Sequence, residues 1–144
     1  MLSRSLPLAS AAVWLAAVAV ACGTTVREAR LSDDASYVFV RGISPTAEKS
    51  IFRPSDEKVT LSVEFANNFA GGQRTFTARW VGPDGNVFRE DPVKTKWGSN
   101  EDLVATLAIA QNLPSKMPGL WSVTLLHEDE VLVTRKFEIL AESE

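Results

Sequence analysis

The chain has 144 residues, 45% of them apolar and 23% charged, with a formal net charge of −3. That length suits one globular domain with a real core and is short for two, while the acidic balance argues against nucleic acid as a partner and offers no polybasic patch to lipid headgroups. A single cysteine, Cys22, excludes an intrachain disulfide, so a domain in an oxidising compartment must rest on its apolar core alone.

Residues 1–21, MLSRSLPLASAAVWLAAVAVA, open with one positive charge at Arg4 and continue as an uncharged run of Ala, Val and Leu with Trp14. This is the composition of a secretory signal. The uncharged stretch, residues 5–21, is 17 residues long, ends in small side chains and is followed by no basic stop-transfer cluster, which fits a removed signal better than a permanent span. Its end, Ala19-Val20-Ala21-Cys22-Gly23, satisfies the small-residue rule for ordinary cleavage before Cys22. It also resembles the lipobox of bacterial lipoproteins, with Ala19 where that pattern most often has Leu. Both readings place the cut before Cys22 and differ only in whether its thiol is lipidated or free. The lipobox resemblance implies diacylglyceryl and N-acyl groups (palmitate and its kin) on Cys22 and no other cofactor. Each buried methylene of such chains adds about 0.8 kcal/mol, and several chains together make anchoring effectively permanent. Gly23, where an Asp would imply retention in the inner membrane, implies a place in the outer membrane of a two-membrane cell envelope, periplasmic or surface face left open.

Removal of 21 residues leaves 123, with 14 basic and 18 acidic side chains and a net charge near −4. Residues 23–36, GTTVREARLSDDAS, are polar and lack a sustained apolar period, so residues 22–36 read as the lipidated cysteine and a flexible tether. From residue 37 a two-residue period takes over. Tyr37-Val38-Phe39-Val40 is a first strand; Val59, Leu61, Val63 and Phe65 alternate with Thr60, Ser62 and Glu64 in a second. Phe76, Ala78 and Trp80 form a third, and Gly82-Pro83-Asp84-Gly85-Asn86 turns the chain into a short fourth near residues 87–89. Leu103, Ala105, Leu107 and Ile109 predict a fifth strand, with a helix also compatible because Val104 and Ala108 are apolar. Trp121, Val123 and Leu125, then an acidic turn at Glu128-Asp129-Glu130, then Val131, Val133, Phe137 and Ile139, predict a closing hairpin. Seven or so short strands without a long amphipathic helix predict an all-β, antiparallel sandwich over residues 37–144.

Trp80 on the third strand and Pro118-Gly119-Leu120-Trp121-Ser122-Val123 entering the penultimate one resemble the immunoglobulin-like and macroglobulin-like sandwich modules of bacterial envelope proteins. The resemblance covers about residues 37–140 and implies that Trp121 stands where such folds place a corner tyrosine, and Val123 where antibody domains place a disulfide cysteine. It implies a fold and not an activity.

Few residues suggest chemistry. His127 lies beside Glu128, Asp129 and Glu130, but neighbouring side chains on a strand alternate faces and do not converge on a metal, so none is expected. Without a second histidine or a Gly-x-Ser-x-Gly elbow there is no nucleophilic triad, and Asp56, Glu57, Asp84, Glu90 and Asp91 have the spacing of solvated loop charges. A non-enzymatic protein is expected. Trp80 and Trp121 fall in register with core positions, whereas Trp97 lies in Lys94-Thr95-Lys96-Trp97-Gly98-Ser99-Asn100. With Lys94, Lys96 and Asn100, Trp97 suits stacking on a glycan or anchoring a protein contact, and equally it suits covering the open edge of the sandwich. The expected role is a membrane-anchored binding or assembly module for an envelope protein partner, of secretion, pilus or outer-membrane assembly type; the alternative is a glycan- or cell-wall-binding lipoprotein using Trp97.

Overall fold

The computed structural model describes residues 25–33, 48–66, 74–95 and 102–142. The strands are β1 (Val26–Ser32), β2 (Ile51–Phe52), β3 (Lys58–Phe65), β4 (Thr75–Val81), β5 (Val87–Lys94), β6 (Asp102–Ala108), β7 (Gly119–His127) and β8 (Glu130–Ile139), with a 3₁₀ turn at Leu113–Lys116 before β7. They form two sheets, β1-β3-β6 and β2-β8-β7-β4-β5. The chain crosses between the sheets after β1, β2, β3, β5 and β6, and the β4–β5 and β7–β8 hairpins stay within one sheet. All pairings are antiparallel except that of β2 with β8, which is parallel. The expected antiparallel sandwich is observed, with this one short parallel pairing added at its edge.

The alternating patterns determine the inner faces. Val59, Leu61, Val63 and Phe65 of β3 meet Phe76, Ala78 and Trp80 of β4 and Trp121, Val123 and Leu125 of β7, all buried. Leu103, Ala105 and Leu107 take the inner face of a strand paired along β3, which settles the strand-or-helix ambiguity there in favour of strand. Trp80 and Trp121 are core residues, as their register predicts.

One expectation about the front of the domain changes. The tether does not extend through residues 26–32, because these form β1 and pair with β3. The apolar period there is disguised by a β-bulge between Val26 and Glu28, which sets the inward positions Val26, Ala29 and Leu31 three and then two residues apart. The strand expected at residues 37–40 lies outside the described residues. The chain nevertheless leaves Asp33 and returns at Glu48 close to its point of departure, since the Lys49 amide donates to the Leu31 carbonyl at 2.9 Å.

The start of β7 reproduces a corner device with a different side chain. The Trp121 indole N–H donates 2.9 Å back to the Met117 carbonyl, four residues upstream, as a corner tyrosine hydroxyl does in immunoglobulin-like folds. Gly119 is held at φ +134°, and a Cβ there would stand 2.9 Å from Pro83 Cβ. Gly119→Ala is expected to cost about 2 kcal/mol and lower Tm by roughly 10 °C in a thermal melt. On the outer face of β3 the Thr60 and Ser62 hydroxyls are buried and, among the described residues, have no hydrogen-bond partner. Thr60→Val, which removes one such hydroxyl at constant shape, is expected to stabilise by about 1 kcal/mol in denaturant titration.

Candidate interaction surfaces

The strand directions give the sandwich two poles about 25 Å apart, the length of an eight-residue strand. At one lie Thr25, Ala66, Arg74, Thr95, Asp102 and the β7–β8 turn; the Ala66 amide donates to the Thr25 carbonyl at 2.8 Å. At the other lie Asp33, Lys49, the β2–β3 loop, the β4–β5 turn, the 3₁₀ turn and residues 140–142.

Of the residues singled out in the sequence, Cys22, Lys96, Trp97 and Asn100 lie outside the described residues. Lys94 ends β5, exposed and opposite Thr75, at the Thr25 pole. Thr95 and Asp102, which flank segment 96–101, belong to that same pole, and both are buried. The Thr95 amide donates to the Arg74 carbonyl at 3.2 Å, and the Arg74 amide donates to Thr95 Oγ1 at 3.3 Å. Thr95 and Asp102 thus both stand at the pole where β1 begins.

His127 closes the same pole. Its ring lies 5.0 Å from that of Phe76, and the turn after it places Glu128 and Asp129 at φ 50° and 67°. Among the described residues no group of three His, Cys, Asp or Glu side chains is placed to hold a metal ion. The carboxylates weighed for hydrolysis are dispersed. Asp84 accepts from the Asn86 amide at 3.0 Å within its turn, Glu90 pairs with Arg79 at 2.6 Å and Asp91 with Arg89 at 2.7 Å on β5, and Asp56 and Glu57 lie in the β2–β3 loop.

The far pole carries features that the sequence did not flag. An open cleft of about 1110 Å³ lies between the β2–β3 loop, the 3₁₀ turn and the end of the chain, with Arg53, Lys116 and Glu142 as its charged walls. Beside it Lys49 bridges Asp56 at 2.8 Å and Asp33 at 3.2 Å, with its ammonium 5.3 Å from the Phe52 ring centre. Asp56 also accepts from the Arg53 amide at 2.7 Å. Burial works against both charges, yet the hydrogen bonds between them prevail: the Lys49 pKa rises above its ordinary value, and the Asp56 pKa falls below its own. No local motif announces this cluster, because it joins residues 33, 49 and 56 across a chain excursion.

The exposed edges are treated unequally. β5 carries Pro92 and alternating charges, and Arg89 reaches across to the other sheet, its guanidinium donating to the Thr106 carbonyl of β6 at 2.9 Å. On the opposite side, β2 covers only the last residues of β8.

No family model matches the chain, and no curated protein matches it. Solved structures do. An immunoglobulin-like protein of Pseudomonas aeruginosa aligns at a TM-score of 0.52 and 14% identity, covering 81% of this chain and 95% of that one. Trypsin-activated α2-macroglobulin from Escherichia coli aligns at a TM-score of 0.52, 13% identity and 81% of this chain, and Salmonella α2-macroglobulin reacted with methylamine at 0.52, 18% and 85%. The chain spans 7% of the length of each macroglobulin.

The Lys49–Asp56 pair makes a pH prediction. A depressed Asp56 pKa stabilises the fold above the ordinary carboxylate range and is lost as pH falls through the folded value; a raised Lys49 pKa stabilises below the ordinary lysine range and is lost as pH rises through its folded value. The Tm difference between the native chain and Asp56→Asn should hold steady from about pH 5 to about pH 9 and narrow at both extremes. A difference that grows on acidification contradicts the pairing. Neighbours and topology agree on the architecture: the chain is an all-β immunoglobulin-like sandwich.

Proposed function

We propose that this chain is a lipoprotein of the cell envelope, anchored by acyl chains on Cys22, whose sandwich is a non-enzymatic binding or assembly module for an envelope protein complex. The observation that carries the reading is the lipobox-like run ending at Cys22, and the short span from there to β1 sets how the domain would stand. Three peptide links separate Cys22 from Thr25, at most about 10 Å of chain, and β1 begins at Val26. Lipid on Cys22 would hold the Thr25 pole at the bilayer and turn the Arg53–Lys116 cleft away from it, with little slack.

That orientation bears on the choice between partners. Lys94 and Thr95, before segment 96–101, and Asp102, after it, stand at the Thr25 pole and would belong to the bilayer side. The exposed sheet edges and the far pole suit a protein partner better, of secretion, pilus or outer-membrane assembly type. Among the described residues no helix is long and apolar enough to cross a membrane. The anchoring reading rests on Cys22, and the outer-membrane placement on Gly23.

Metabolic labelling with radioactive palmitate tests it. The native chain should carry the label and sediment with membranes, and Cys22→Ser should lose both properties while its circular dichroism spectrum keeps the β signature. Label persisting on the serine variant would overturn the anchoring. Photocrosslinkers placed at Lys116 should capture a protein partner more efficiently than the same groups at Lys94.

A further inference from the structure

We propose that the outer edge of β8, from Val133 to Phe137, receives an added strand from a partner protein, and that the strand carries an acidic side chain that pairs with Arg135. The inference deepens the reading of the domain as a binding module and rests on it.

The backbone geometry comes first. The Glu138 amide donates to the Ser50 carbonyl at 2.8 Å and the Leu140 amide to the Phe52 carbonyl at 2.9 Å, so the even-numbered residues here turn their peptide groups away from β7. By the two-residue period Lys136 and Thr134 turn theirs the same way. β2 stops at the level of Glu138, and no described strand pairs with β8 above it. The free stretch is regular against β7 from Val133 to Phe137, because the bulge opposite Leu125 and Leu126 falls at Leu132. It therefore offers donors and acceptors in the spacing that another strand matches.

The other edges are closed by identifiable devices. Pro92 interrupts β5, Arg89 occupies the Thr106 carbonyl of β6, and β1 is broken by its bulge and by the Lys49 amide on Leu31. β8 has only a provisional cover: the Arg135 guanidinium donates to the carbonyl of its own neighbour, Thr134, at 3.2 Å. An arriving strand takes over that carbonyl with a backbone N–H and releases the guanidinium.

Charge then selects the arriving strand. The segment VLVTRKF, residues 131–137, has two basic side chains and no acidic one. Among the described residues neither Arg135 nor Lys136 forms a salt bridge, in contrast to Arg27, Arg30, Lys49, Arg79 and Arg89. A half-buried arginine at a sheet edge deters indiscriminate pairing, including pairing with the equally basic β8 of a second copy. A carboxylate at the facing position turns that deterrent into a bidentate contact.

The test uses the full chain in detergent micelles and synthetic peptides of about nine residues, alternating Thr and Val around one central Glu. Hydrogen exchange of individual amides by NMR is the readout. With the Glu peptide at millimolar concentration the Thr134 and Lys136 amides should slow by about tenfold or more; a Lys-centred peptide should bind at least about fivefold more weakly, and a Glu peptide N-methylated on its bonding edge should give no protection. Arg135→Glu should reverse the preference, and Arg135→Gln, the milder change, should erase it. Unchanged exchange at Thr134 and Lys136 overturns the proposal. So does equal binding of the Glu and Lys peptides, and so does finding both amides already as protected in the free protein as those bonded to β7. These readouts do not depend on Cys22, so a failed palmitate label and a failed peptide result point to different errors.

Discussion

The ring of Phe137 is the contact on which the five-stranded sheet converges. Trp121 of β7 stacks on it with centroids 6.2 Å apart and planes 18° apart, Trp80 of β4 meets it edge-on at 6.2 Å, and Phe52 of β2 meets it edge-on at 5.6 Å. One side chain thus ties four strands of that sheet on its inner face. Such pairs add about 0.5 to 1.5 kcal/mol each beyond the area they bury. Antibody domains join their sheets with a disulfide; this chain has a single cysteine, and cohesion comes from rings and from buried aliphatic side chains such as Val123.

The same cluster explains how the edges and poles are organised. Phe52 fills the core from a strand of only two residues, and what holds that strand in place is the Lys49 bridge to Asp33 and Asp56 together with the parallel pairing to the end of β8. Because β2 is so short, no strand among the described residues pairs with β8 above it. The far pole inherits the loops displaced by this arrangement, and its cleft lies between them. Trp121 links the two levels, since its ring packs on Phe137 while its indole N–H fixes the Met117 carbonyl at the rim of that pole.

Strands with an unbroken two-residue period were legible in advance. β3, β4, β6 and β7 each place apolar side chains at every second position, and each inner face is the one that the pattern selects; in β8 Arg135 interrupts the alternation and the bulge at Leu132 leaves Val131 exposed. β1 and β2 were not legible, for separate physical reasons. A bulge puts Val26 and Ala29 on one face at a spacing that matches neither strand nor helix, and Ile51–Phe52 is too short to show any period. β5 is longer than its three-residue signal because an edge strand exposed to solvent has no apolar alternation to display.

The sequence by itself determined the all-β class, the inward faces, the two hairpin turns and the core position of Trp80 and Trp121, since burial on one side of a pleated strand leaves its mark every second residue. The local composition also marked Cys22 and the Trp97 segment. Only the tertiary structure decided that Thr95, Asp102 and Thr25 share one pole, that residues 33, 49 and 56 meet, and that Arg135 stands on a stretch of β8 with which no other described strand than β7 pairs. Those relations depend on which strands become neighbours, a matter of packing between segments far apart in the chain, and no local pattern encodes it.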